Sequence, residues 1–195
     1  MYMITVEELT KVDLKEFVKI LVEVEYSYLV KDTFILRDIL ERYYNSFKDY
    51  RGIFVAKVNE RVGGLIQLNI KDFKRKKMPI LEFIKLFGFI NGLKFRLLIN
   101  FFDKTPKRDE VFIRYLCVHP NLDIVTIGNM LINEVINYTI KVNKRRISIW
   151  VPVDSEIVDV CINNGFVIKK MIKSNFTEKY FGKKYYYYLE KLLDV

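Results

Sequence analysis

The chain has one histidine, His119, and two cysteines, Cys117 and Cys161, among its 195 residues. With a single imidazole where a strand should end, and cysteines without metal-ligand spacing, the residue set argues against a zinc site and a His-based triad. Both cysteines fall in apolar strand and helix patterns, where reduced thiols are expected. Glycine is sparse, with eight residues, and none forms G-x-x-x-x-G-K-[ST] or G-x-G-x-x-G, which excludes the usual phosphate loops. Long apolar runs are missing too. Glu7 and Glu8 interrupt any secretory h-region, so the expected location is the cytoplasm. Glu82, Lys85, Lys94 and Arg96 interrupt the most apolar later stretch too often for a transmembrane helix.

What is present is a hydrophobic content of 51%, enough for one packed domain over residues 1–195. The net charge of +9 is uneven. Residues 71–108 carry eleven Lys or Arg against Asp72, Glu82 and Asp103, so nearly all the excess is local. This argues against a basic nucleic-acid surface spread over the domain.

The organising stretch runs from Glu110 to Ile140. Val111, Phe112, Ile113, Tyr115, Leu116, Cys117 and Val118 are apolar on both alternating faces, as in a central strand covered on both sides, and Arg114 is the exception. Pro120 ends the strand. Ile127, Met130, Leu131, Glu134, Val135 and Tyr138 recur at three and four, which predicts a helix from near Thr126.

Upstream, Met3 to Leu9 reads as a strand, and Asp13 as the N-cap of a helix carrying Leu14, Phe17, Val18, Leu21 and Val24. A second helix is expected from Thr33 to Phe47. Gly52 to Val58 and Val62 to Ile70 form a hairpin around Asn59-Glu60-Arg61, with Gly63-Gly64 marking a bulge or a close backbone approach. Downstream, Arg146 to Val151 is a strand and Asp154 to Asn164 a helix with Gly165 at C′. Val167 to Ile172 and Lys184 to Leu189 should pair as the last two strands.

A strand ending in Val118-His119-Pro120, followed by a helix with Gly128 in its first turns, resembles motif A of the GNAT superfamily of N-acetyltransferases. Asp154 through Gly165-Phe166 resembles the family's motif B, and Tyr185-Tyr186-Tyr187-Tyr188 resembles the aromatic final strand of many members. The resemblance implies a mixed α/β fold, a mostly antiparallel twisted sheet with helices on both faces, and acetyl-CoA-dependent transfer to an amine on a small molecule or peptide. It implies that acetyl-CoA lies along Leu116, Cys117 and Val118, over the turn and helix start formed by Asp123, Ile124, Val125, Thr126, Ile127, Gly128 and Asn129, and near Asp154. The physical basis is the set of unpaired amides at a helix N-terminus.

Several positions depart from the family pattern. Of Asp123, Thr126 and Gly128, only Gly128 matches Arg/Gln-x-x-Gly-x-Gly/Ala. Asp123 either turns outward, leaving the Thr126 hydroxyl for a phosphate, or caps the helix and fills the anion site itself. Arg114 stands where a glutamate base is usual and cannot accept a proton. It either binds a substrate carboxylate, lowers the pKa of a nearby amine, or forms a structural ion pair with Glu110 or a neighbour. Cys161 stands where a tyrosine acid is usual, and reads either as that acid or as a small core residue. Glu25, Tyr26 and Tyr28 fall where the family shapes its acceptor pocket, or simply pack a loop on the sheet. A non-catalytic GNAT-derived binding or regulatory protein is the alternative to the enzyme. The insert at about 71–108, apolar and basic, reads as a lid, as a homodimer surface through 78–102, or as a hairpin on anionic lipid, with lid or dimer preferred to lipid.

Overall fold

The computed structural model describes residues 3–27, 33–73, 81–85, 88–89, 92–93, 96 and 101–194, with Tyr180 and Phe181 described by backbone alone. Tyr28 and most of the insert, including Phe87 and Leu98, lie outside the described residues.

Seven strands form one sheet in the order β1-β2-β3-β4-β5-β7-β6. They are β1 (Ile4–Glu8), β2 (Ile53–Val58), β3 (Arg61–Ile70), β4 (Glu110–Val118), β5 (Arg146–Pro152), β6 (Val167–Lys173) and β7 (Tyr185–Leu192). Only β4 and β5 run parallel; every other neighbour is antiparallel. The helices are α1 (Leu14–Leu21), α2 (Thr33–Asn45), α3 (Ile124–Lys141), α4 (Ile157–Asn163) and α5 (Asn175–Phe181). One core lies between α1, α2 and one face of the sheet, centred on Phe17, Leu21, Leu40, Tyr44, Leu65 and Cys117. The other lies between α3, α4 and the opposite face, with Leu131, Val135, Val160, Ile66 and Ile149. The sheet is therefore covered on both faces, as the apolar β4 sequence required.

Local chemistry explains several boundaries. Asp13 precedes α1, but its carboxylate makes no cap bond. It instead accepts from Thr10 Oγ1 at 2.5 Å and pairs with Lys57 at 2.9 Å, fixing the entry of α1 to β2. Gly63 is the unpaired residue where the β2–β3 register shifts, a bulge as its sequence suggested. A Cβ on Gly64 would lie 2.7 Å from Ile127 Cγ2, so this glycine lets α3 approach the sheet.

Three elements differ from the sequence reading. Helix α3 begins at Ile124, two residues before Thr126, because Asp123 caps it. After α1 the chain continues as a π-helical turn, Val22–Tyr26, where the helix was expected to run on through Val24 and then give way to a connection. Helix α5, capped by Ser174 and ended by Gly182 at φ 66°, fills the link between β6 and β7. Within the insert, residues 81–85 are helical. Phe83 from this helix is buried in the α1/α2 core, while Leu81 and Phe89 are exposed.

Candidate active site

The site begins with a slip in β4. Gln67 pairs with Tyr115 and Leu68 with Ile113, leaving Arg114 opposite no residue of β3. This bulge reverses the phase of the strand. Before it, Val111 and Ile113 face the α3 core; after it, Leu116 and Val118 do, while Tyr115 and Cys117 join the α1/α2 core.

At the same point the sheet opens. The β4–β5 ladder ends at Ile113 opposite Ile149, although β4 continues to Val118 and β5 to Pro152. Each strand keeps its outer partner, with Val118 on Gly64 and Pro152 on Tyr186. Only the two facing edges diverge, and their inner backbone groups have no ladder partner among the described residues. Such an edge suits an extended ligand with amide groups of its own.

Between the diverging strands lies a cavity of about 310 Å³. It is lined by Glu25 and Tyr26 of the π turn, Asp103, Arg114, Leu116 and Val118 of β4, Ile124, Trp150, Ser155 and Tyr186. The π turn accounts for Glu25. Its wider winding places the Glu25 carboxylate in the cavity lining, beside the buried Tyr26. Cys117 Sγ donates to Glu25 Oε1 at 3.6 Å, a weak bond. Burial, only partly offset by that thiol, pushes the Glu25 carboxyl up to about 7.

Arg114 has 11% of its side chain exposed, with Asp103 Oδ2 3.4 Å from its Nη2 and the Tyr115 ring centroid 5.1 Å from its Cζ. Its Nε is buried without a hydrogen-bond partner. Burial works against its charge, but Tyr115 and Asp103 hold it firmly protonated. Glu110 is not its partner. That carboxylate is fully buried and bound to Lys104, Ser148, Tyr188 and the Lys107 amide. Tyr115 and Tyr26 hydroxyls meet at 2.5 Å. Burial, opposed by Arg114, pushes the Tyr115 hydroxyl up to about 12, and burial also raises Tyr186.

At the helix N-terminus, Asp123 Oδ1 accepts from the Val125 and Thr126 amides at 3.0 Å each, and Oδ2 accepts from Thr126 Oγ1 at 2.6 Å. The second alternative for Asp123 is the one observed: the anion site is filled by the chain's own side chain. Gly128 is buried in helix packing, where a Cβ would meet Val160 at 3.2 Å. Asn129 Oδ1 accepts from Asn164 Nδ2 at 2.6 Å, tying α3 to α4. Ile127 is buried in the core, Val125 is exposed, and Asp154 pairs with Lys183 at 2.6 Å.

Cys161 does not join this site. It is fully buried in the α3/α4 core, where burial pushes its thiol up to about 12. Arg114, Leu116, Val118 and Ile124 do line the cavity, whereas Cys117 faces away from the α3 side toward Glu25. Glu25 is the residue that reasoning by family position missed as a base candidate. Its signal was an acidic residue within the apolar continuation of α1.

No protein-family model and no curated protein matches the sequence. Solved structures do match. A GNAT-family acetyltransferase from Streptococcus pneumoniae aligns with TM-score 0.63 at 17% identity, covering 98% of this chain and 99% of that one. Salmonella typhimurium yncA, solved with its cofactor acetyl-CoA, aligns with TM-score 0.59 at 15% identity, covering 98% and 94%. The C-terminal condensation domain of Ebony in complex with β-alanyl-dopamine aligns with TM-score 0.67 at 13% identity, covering 99% and 100%. The fold is that of the GNAT acetyltransferases.

Proposed function

We propose that this chain is an acyltransferase that acetylates an amine in the cavity between β4 and β5, with Glu25 as the base. The observation that carries the reading is a carboxylate, poised by burial near neutrality, lining a cavity that is bordered by an unpaired strand edge. Acetyl-CoA would supply an acetyl thioester, the C–N bond forming as the C–S bond breaks, with the second amine proton ending on sulfur. The residues fit one part of that molecule and not another. Leu116, Cys117 and Val118 present backbone groups along an edge suited to the amide-bearing arm. The start of α3 does not suit the pyrophosphate, because Asp123 occupies the amides that would hold it.

Within the chain, Glu25 takes the first proton from the ammonium, freeing the lone pair for attack. Tyr186 keeps its proton, since burial raises its pKa, and serves as a hydrogen-bond donor along the wall rather than a net acid. Arg114 does not act as base; its positive charge in the same cavity favours the neutral form of an approaching amine. A second reading, a binding protein without transferase activity, is favoured by the Asp123 cap alone.

The test is acetyl transfer from acetyl-CoA to a panel of amines by wild type and Glu25→Gln, followed across pH. A rate that rises with pH to a plateau near 7 and falls about 100-fold or more in the glutamine variant supports the reading. Equal rates for the two proteins remove Glu25 from the mechanism. No turnover with any amine favours the binding protein.

A further inference from the structure

Two opposite charges lie in one cavity, and among the described residues each has only a weak or shared partner. Arg114 is nearly buried, its Nε has no acceptor, and its contact with Asp103 is a single 3.4 Å approach. Asp103 also accepts from Asn69 Nδ2 at 2.6 Å, so its carboxylate is shared. A guanidinium carries five N–H donors in a fork suited to a carboxylate, and leaving the buried Nε–H unmet is costly. Glu25 has only a weak thiol donor at 3.6 Å. Among the described residues no ion pair joins Arg114 to Glu25, although both line the cavity.

We infer that the acceptor is a small aminocarboxylate with an aromatic side chain, its carboxylate held by Arg114, its amine by Glu25 and its ring by the wall of Tyr26, Phe102, Trp150 and Tyr186. This rests on the transferase reading for what happens to the amine, but not for the binding. The charges match in sign: the amine is the cation that an ionised Glu25 lacks, and the carboxylate is the acceptor that Arg114 lacks. Size agrees as well. At about 310 Å³ the cavity is at the small end of ligand sites, roughly 300–1,000 Å³, which favours a single amino acid over a protein segment. The aromatic residues also explain why the guanidinium can be tolerated before ligand arrives, since the Tyr115 ring shields one face of it.

The experiment measures binding by calorimetry at pH 8, without acetyl-CoA, and then turnover with it. The probes are L-phenylalanine, L-tyrosine and L-tryptophan, each beside its decarboxylated amine (phenethylamine, tyramine, tryptamine), and a short peptide with an N-terminal glutamate. In wild type at least one amino acid should bind about 10- to 100-fold more tightly than its amine, the range of a charge-assisted pair. In Arg114→Gln that preference should vanish, and Arg114→Lys should restore part of it. Circular dichroism confirms that each variant is folded.

If the preference is present but no acetyl transfer occurs, the inference stands and the transferase reading fails. If the amines turn over as well as the amino acids, or Arg114→Gln keeps the preference, the inference is overturned and the transferase reading stands. Tighter binding of the peptide, or no binding by any probe, overturns it as well.

Discussion

Cys117 Sγ and Glu25 Oε1 lie 3.6 Å apart, joining the central strand β4 to the π turn that follows α1. The thiol is itself pushed well above its ordinary pKa, first by burial and then by the Glu25 charge, so it remains a donor and never competes as the base. This contact leaves Glu25 half-buried with one weak bond, and the consequence is measurable in stability as well as in rate.

Glu25 holds its proton to about 7 in the fold, against an ordinary 4.5. Below the lower value both states are protonated and nothing is lost. Between the two, the folded state binds a proton that the unfolded chain does not, so stability falls as pH rises and the full penalty is reached above 7. Glu25→Gln should therefore be more stable than wild type at pH 8, by about 3 kcal/mol, and nearly equal to it at pH 4. Urea titrations at both pH values check this; a constant difference would mean that Glu25 is hydrated.

Asp123→Arg with Thr126→Gly removes the carboxylate that occupies the start of α3 and frees the amides of residues 125 and 126. Acetyl-CoA binding, measured by calorimetry, should tighten on the order of tenfold or more, with the gain shrinking as salt rises. Wild-type binding in the micromolar range that weakens in the double variant would mean that the turn holds the nucleotide by another geometry.

Lys104 and Glu110 tie the segment carrying Phe102 and Asp103 to the sheet. Glu110 is fully buried on its side chain, and its depressed pKa, which burial opposes, is maintained by Lys104, the Lys107 amide and Ser148. Its contribution is present above the ordinary carboxylate range and lost as pH falls through it. Lys104→Met should cost about 3 kcal/mol at pH 7, because a buried charge is left without its partner. The cost should shrink toward pH 4, because Glu110 in the variant, buried without Lys104, takes up a proton more readily than in wild type. Thermal melts across that range give the answer, and an undiminished cost at pH 4 would assign it to lost packing against Tyr188.

The insert follows the same division between what local pattern shows and what contacts decide. Its apolar density called for burial, and Phe83 is buried in the α1/α2 core. The choice of lid, dimer surface or lipid contact depends on which face is left over, and Leu81, Phe89 and Leu93 are exposed. Periodicity cannot tell these outcomes apart, since each needs the same apolar helix face.

Much of the architecture was legible from residue pattern alone. Strand and helix order, the doubly covered β4, the β2–β3 hairpin, the bulge at Gly63 and the αL position of Gly165, at φ 80°, follow from local periodicity and turn chemistry. The site was not legible in the same way. The direction of Arg114 depends on a register slip against β3, which exists only when two distant strands pair. Glu25 faces the cavity because a π turn, stabilised by packing on β4, rotates it inward. The Asp123 cap was one of two conformations that the same residues permit, and the chosen one is set by backbone dihedrals at φ −69° and ψ 101°. Sequence thus specifies which surfaces are apolar and where the chain turns, because those depend on neighbours a few residues away. Side-chain direction at the opened strands was decided by tertiary pairing, because shifting register by one residue moves every group to the other face.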